Sequence, residues 1–385
     1  MKSQSPAAIL LRKVGRNKPA VFSFWFIVIA FFIAVFCYLL IPDPSPNANQ
    51  MCLPVSLQKP GFSVQMLMEK KPAAAVQPSF FGRLLNGKPP GYRLIPITAY
   101  RFEGDKVIYS EFTGSVDKPV ELEIKIAALA GLPQTEKLTA TQMEELKKEI
   151  QEKQVKTHTF LLGTDRFGRD LLSRLMLGTR ISLSVGFIAV IISLLIGITL
   201  GAMAGFFRGK VDTFIMWLIN VIWSIPTLLL VVAISLALGK GFAQVFIAVG
   251  LTMWVEVARV VRGQIFSLRE MEYVEAARAL GFKNYRIILR HVLPNIMGPV
   301  IVIAASNFAS AILLEAGLSF LGMGAQPPVP SWGMMIKENY GYIVVDAAYL
   351  AVLPGLAIMF LVLAFTLLGN GLRDAVDVKN DVIGI

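Results

Sequence analysis

ISLSVGFIAVIISLLIGITLGAMAGFF, residues 181–207, holds no Asp, Glu, Lys or Arg. The hydrocarbon core of a bilayer takes about 20 apolar residues of helix, so this run reads as a membrane span. Further charge-free runs lie on either side of it, at 19–42, 213–239, 241–255, 292–314 and 347–372. Six spans are therefore expected, the fourth being the shortest, in an all-α polytopic membrane protein. The composition agrees: 55% of the 385 residues are hydrophobic and 16% charged, against about 25% charged in soluble domains.

The formal net charge of +11 raises nucleic acid as a partner, but the positions of the basic residues argue for topology instead. Lys2, Arg12, Lys13, Arg16 and Lys18 precede the first run. Arg208 and Lys210 follow the second, seven more stand between Arg259 and Arg290, and Arg373 and Lys379 follow the last. The short alternate loops carry only Lys240 and Lys337, and the long block between the first two runs is set aside because long domains are translocated regardless of charge. The positive-inside bias then places both termini in the cytoplasm, with a cytoplasmic tail at 1–18 and another at 373–385. The first run, 19–42, is longer than the apolar core of a cleaved signal and reads as an anchor. Cys37 and Cys52 have no metal-type spacing, and the two histidines, His158 and His291, fall on opposite sides of the membrane. No catalytic dyad or metal site is expected, and the chain reads as a non-enzyme.

Residues 43–160 form a polar block opened by PDPSPN (42–47), long enough for a small α+β insertion outside the cytoplasm between the first two spans. Val120, Leu122, Ile124 and Ile126 alternate with Glu121, Glu123 and Lys125, the period of a half-buried strand. YRLIPITAYRF (92–102) and KVIYSEF (106–112) read as further strands. After a turn around Gly131 and Pro133, Thr141 with Glu144 predicts a helix start, with Met143, Leu146 and Ile150 on one stripe. Next, LLGTDRFGRDLLSRLMLGTRISL (161–183) predicts an amphipathic helix over 161–180 at the outer surface, capped by Thr164 or Asp165. The spacings Asp165/Arg169, Arg166/Asp170 and Asp170/Arg174 would allow ion pairs on its polar face. That helix either meets a partner or merely anchors the following span.

The core of five spans, 181–372, is interrupted by a cytoplasmic loop at 256–291 and an outer loop at 316–346. The first carries EYVEAARALGF (272–282). Tyr273, Ala276, Ala277 and Leu280 are expected to share a helical face, and Gly281 to end the helix in a left-handed conformation. Small residues let a second surface come close, and the stripe is too alanine-rich to hold lipid headgroups well, so a protein partner is favoured. Glu315 stands near the outer end of the fifth span, where an acidic residue is a pathway candidate, or simply meets water or Arg169. Glu256 is expected to pair with Arg259 or headgroups. Pro226 and Pro354 lie within spans and can kink them around a cavity. No G-x-x-x-x-G-K-[ST] phosphate loop occurs, so ATP cannot be used by this chain alone.

The loop residues Glu275, Ala276, Ala277, Gly281, Leu293 and Pro294 match the pattern of permease subunits of binding-protein-dependent ABC importers, which the chain resembles. RHVLPN (290–295), LGTDRFGRDLLSR (162–174), LLEAGLSFLGMGAQPPVPSWGMMI (313–336) and GNGLRDAVD (369–377) are similar to its dipeptide, oligopeptide and nickel branch. His291 replaces a common isoleucine, and Asn370 a common aspartate. The likeness covers 1–42 loosely and 161–380 closely, and leaves out 43–160. It implies a type I importer permease core in the bacterial inner membrane that couples through Glu275 and Gly281 to one or two separate ATPase subunits. ATP and magnesium would be used there, with no cofactor bound by this chain. It also implies a second permease, a paralogue in this branch, an extracytoplasmic solute-binding protein, and contact with membrane lipid. Asp165, Arg169, Asp170 and Trp332 would serve the outer gate or meet the binding protein. An ion-driven secondary transporter would instead place ionisable groups near the bilayer midplane, and a one-anchor sensor would not need six spans.

Overall fold

The computed structural model describes residues 12–71, 78–114, 120–132, 139–239 and 241–377. Lys2, Lys240, Lys379 and Pro133 lie outside them. Helix α1, Lys18–Leu40, opens on Asn17, whose side chain accepts the Ala20 amide hydrogen. A five-stranded sheet follows, with short helices at Phe80–Asn86 and Ile126–Leu129 and a longer one, α2 (Ala140–Glu149), before its last strand. The chain then runs through α3 (Leu171–Phe207), α4 (Gly209–Trp223), α5 (Thr227–Leu238), α6 (Phe242–Leu268), α7 (Glu272–Ala279), α8 (Met297–Phe320), α9 (Trp332–Asn339) and α10 (Tyr349–Asp377). Among the described residues five helices are long and apolar enough to cross a membrane, and a sixth crossing exists if α4 and α5 count as one.

That pair is bent by 93° at Ser224–Pro226, because proline has no amide hydrogen to continue the ladder. Pro354, by contrast, sits inside a continuous α10. The expected short fourth span is the first half of α6, which runs on to Leu268. A charge-free run stops at Glu256, but helix geometry tolerates charges that find partners. Arg262 forms a two-pronged pair with Asp212 at 2.5 and 2.6 Å, and Arg259 lies 3.5 Å from the Trp223 ring centre.

Gly197, Gly201 and Gly205 recur every four residues on α3, so they share one face. That face meets α6. A methyl at Gly201 would stand 2.9 Å from Val261 Cβ and 3.0 Å from Ala258 Cα, and one at Gly205 would stand 2.8 Å from the Arg262 carbonyl oxygen. Gly250 of α6 answers against Ile192. Small residues give membrane helices close backbone packing that lipid alone does not drive. Gly201→Val is expected to lower the apparent melting temperature in detergent, overpacking costing about 1–3 kcal/mol. Gly263→Ala, where nothing lies within 4 Å, is expected to leave it level or raise it slightly, since alanine gains about 0.5–1 kcal/mol over glycine in a helix.

The sheet, β1 (Phe62–Lys70), β2 (Tyr92–Glu103), β3 (Lys106–Glu111), β4 (Glu121–Lys125) and β5 (Val155–Phe160), is antiparallel in the order β4-β3-β2-β1-β5. Leu67 opposes Ile95, and with Val107, Tyr109, Ile126, Leu129 and Ile150 these residues build its core. The insertion is thus α+β as read, with two local corrections. β4 is an edge strand whose Leu122 is exposed, since only one neighbour covers it, and Ile126 is buried in the helical turn beyond it. Helix α2 starts earlier than Thr141: Thr139 and Gln142 exchange the reciprocal bonds of a capping box.

A larger correction concerns 161–180. Residues 161–170 are a folded turn, closed by a bridge between Thr164 and Asp170, and the helix begins only at Leu171. Gly163 and Gly168 have φ of +79° and +69°, outside the right-handed helical region. At Gly168 any Cβ would strike the Cys52 carbonyl. Asp170 is the cap, its carboxylate accepting the Ser173 amide hydrogen at 2.7 Å, and α3 then continues without interruption to Phe207.

Candidate functional site

At one end of the bundle, α6 turns at Arg269 into α7. Glu272 and Glu275 occupy its first turn and Arg278 its last, which suits the helix dipole at both ends. Val274 and Ala277 are buried against Val261, Ile265, Ile287 and Val292, seating α7 on the end of α6 and the start of the segment into α8. The expected shared face is therefore divided: Ala277 points inward, whereas Tyr273, Ala276 and Leu280 point outward. Leu280 is 75% exposed, a large apolar side chain left in the open. Glu275 is exposed as well.

The helix ends as the sequence implies. Gly281 has φ +77°, and the Phe282 amide donates to the Ala277 carbonyl at 3.0 Å, the wrap of a left-handed C-terminal motif. Leu293 packs partly into the same cluster, and Pro294 is exposed in the 3-10 turn that leads into α8. The six residues Glu275, Ala276, Ala277, Gly281, Leu293 and Pro294 thus lie in one compact helix-turn-helix segment.

At the opposite end, the four residues expected to serve an outer gate or meet a binding protein are buried within the chain. Asp165 and Arg169 are each 2% exposed and joined at 2.6 Å. Arg169 also donates to Glu338 at 3.1 Å and to Asn49 at 3.1 Å, while Arg174 lies 3.7 Å from both Asp165 and Glu338. Two guanidinium groups and two carboxylates thereby tie the turn at 161–170 and α3 to α9. Arg166/Asp170 and Asp170/Arg174 form no ion pair; Arg166 lies over the Phe167 ring instead. Burial raises the Asp170 carboxyl above its usual range, and its bonds from Ser173 partly offset that rise.

Trp332 is also buried, its indole N–H donating to the Leu175 carbonyl at 2.9 Å. It lies against Gly178, where no side chain would fit. Glu315 is buried and accepts from the Ser319 hydroxyl at 2.6 Å, meeting neither solvent nor Arg169. These side chains are packed inside the chain and tie α3 to the segment between α8 and α10. The sequence could place them in a polar motif but not say which way they face.

A third feature takes shape only in the folded chain. A cavity of about 310 Å³ opens at the helix break, lined by Trp223, Ile225, Thr227, Thr252, Glu256 and Ser310 among others. Of the two partners expected for Glu256, Arg259 or headgroups, Arg259 does not pair with it: its guanidinium lies over Trp223, and Glu256 is exposed. Its signal in the sequence was a single charge ending an apolar run, which reads as a span boundary unless the helix is known to continue.

The family model for the binding-protein-dependent transport system inner membrane component matches residues 197–381. The glutathione transport system permease protein GsiD of Pectobacterium atrosepticum is 43% identical over 218 residues, 57% of this chain and 72% of that protein. The dipeptide transport system permease protein DppC of Alkalihalophilus pseudofirmus is 43% identical over 217 residues, 56% of this chain and 71% of that one. Among solved structures, the inward facing MetNI methionine ABC transporter aligns at 18% identity and a TM-score of 0.44, over 53% of this chain and 97% of that one. With the loop motif folded as a helix, a left-handed glycine and a second helix, the chain belongs to the binding-protein-dependent transport system inner membrane component family and is a permease subunit.

Proposed function

We propose that this subunit forms half of an ATP-driven conduit that brings peptides into a bacterial cell across the inner membrane. The observation that carries the reading is α7, anchored by Val274 and Ala277 while Tyr273, Ala276 and Leu280 stay outward. In this reading that outward stripe, with Glu275 beside it, sits in a groove of a separate ATPase subunit, where ATP and magnesium are used. Closure of the ATPase pair then pushes α7 as a lever, and Gly281 holds the angle at which it meets α8.

The rest of the arrangement follows from this orientation. The α4–α5 pair counts as one crossing, giving six, with both termini on the α7 side in the cytoplasm. The sheet lies outside, an assignment supported by its attachment to the far end of the bundle, where Lys59 pairs with Asp346 and the Tyr349 hydroxyl donates to the Gln58 carbonyl at 2.7 Å. Exposed apolar residues on α1 and α4, among them Phe22, Trp25, Phe214 and Trp217, are met by lipid or by a second permease. The relatives named for dipeptides and glutathione, itself a tripeptide derivative, favour peptides over nickel chelates.

The test is co-reconstitution in proteoliposomes with the second permease, the ATPases and the binding protein. Labelled dipeptide should accumulate only with ATP and binding protein present, and a proton uncoupler should have no effect. Uptake driven by an ion gradient without ATP would overturn the proposal.

A further inference from the structure

Glu256 lies near the middle of α6, about 20 Å of helix from either end at 1.5 Å per residue. The face of α6 that packs on α3 is made by Trp254, Val257, Ala258 and Val261. Glu256 falls on the other face, in line with Thr252, Val260 and Gln264 at successive helical turns. Two cavities follow that line. Thr252 and Glu256 line the one at the helix break, opposite Ser310 of α8, while Val260 and Gln264 line a second, of about 180 Å³, with Pro299, Val302 and Arg373. A stripe bearing a hydroxyl, a carboxylate and an amide on the side of α6 away from α3, with space along it, has the composition of a conduit wall.

A carboxylate at membrane depth is costly unless it has a partner or faces water, and such groups mark solute routes. Glu256 lacks the structural alternative, because the nearest cation on its own helix, Arg259, is taken up by Trp223. Resting on the peptide reading, we infer that Glu256 is a transient site for the ammonium group of a peptide midway through the conduit, with the Thr252 and Ser310 oxygens beside it. Anionic peptides meet repulsion at the same place. The subunit thus adds charge selection to whatever selection the binding protein makes.

The experiment uses the complete reconstituted transporter with one binding protein and compares Lys-Lys, Ala-Ala and Glu-Glu uptake in wild type, Glu256→Gln, Glu256→Asp and Glu256→Lys. The ratio of Lys-Lys to Glu-Glu uptake is expected to fall about tenfold in Glu256→Gln, to be largely kept in Glu256→Asp and to invert in Glu256→Lys. ATP hydrolysis stimulated by binding protein should persist in all four. Because the binding protein is common to every variant, its own preference cancels. An unchanged ratio in Glu256→Gln, or an equal fall for all three peptides, overturns the ammonium site while leaving the peptide reading intact. Failure of the wild-type complex to take up any peptide overturns the peptide reading itself, and this inference with it.

Discussion

Gly281→Val should leave the subunit inserted and assembled but cut ATP-dependent uptake by roughly tenfold. The glycine has φ +77° and open space where a Cβ would go, so the penalty is conformational and not a clash. A residue with a Cβ pays about 1–2 kcal/mol in the left-handed region, close to a tenfold change in occupancy of the native turn, and a β-branched side chain more. Asparagine visits that region more readily. The order of uptake should therefore be Gly281, then Asn, Ala and Val, measured in proteoliposomes with protein amount and ATP hydrolysis followed together. Hydrolysis should continue while uptake falls, because the ATPases are intact and only the lever is loose. Full uptake by the valine variant would show that the turn does not transmit motion.

Asp165→Ala should produce the largest loss of stability of any single change at the sheet end of the bundle. It would leave Arg169 and Arg174, both 2% exposed, with Glu338 as the one carboxylate still within ion-pair distance among the described residues. Removing one partner of a buried ionic network costs about 3–5 kcal/mol, because the charges left behind stay desolvated. A clear drop in apparent melting temperature in detergent is expected, with Glu338→Ala behaving similarly. Lys59→Ala, which removes the exposed pair with Asp346, should leave the melting temperature unchanged, as exposed pairs contribute little. Equal melting temperatures for Asp165→Ala and Lys59→Ala would mean that the buried cluster does not brace the turn at 161–170 against α9.

The family and the membrane class were legible in the sequence because both rest on local pattern. Charge-free runs report apolar helices whatever they pack against, and the spacing from Glu275 to Pro294 survives as a helix, a left-handed glycine and a second helix. The alternation in the insertion likewise announced strands. Direction and depth were not legible. Ala277 and Leu280 look equivalent on a helical wheel, but one is buried by Ile287 and Val292, residues that arrive from beyond the turn. Trp332 and Arg169 look like surface residues of a polar motif until α9 folds back on α3 and encloses them.

By itself, then, the sequence determined that the chain is built of apolar membrane-type helices, where the segment from Glu275 to Pro294 lies and what kind of transporter the subunit serves, since periodicity, glycine and charge distribution act within a few residues. Only the tertiary structure decided that 161–170 is a turn, that Gly197, Gly201 and Gly205 let α3 and α6 touch, and that Glu256 stands unpaired beside a cavity. Each of these depends on which distant backbone arrives opposite a given side chain, and the burial or freedom of a charge is set by that arrival and not by its neighbours in the chain.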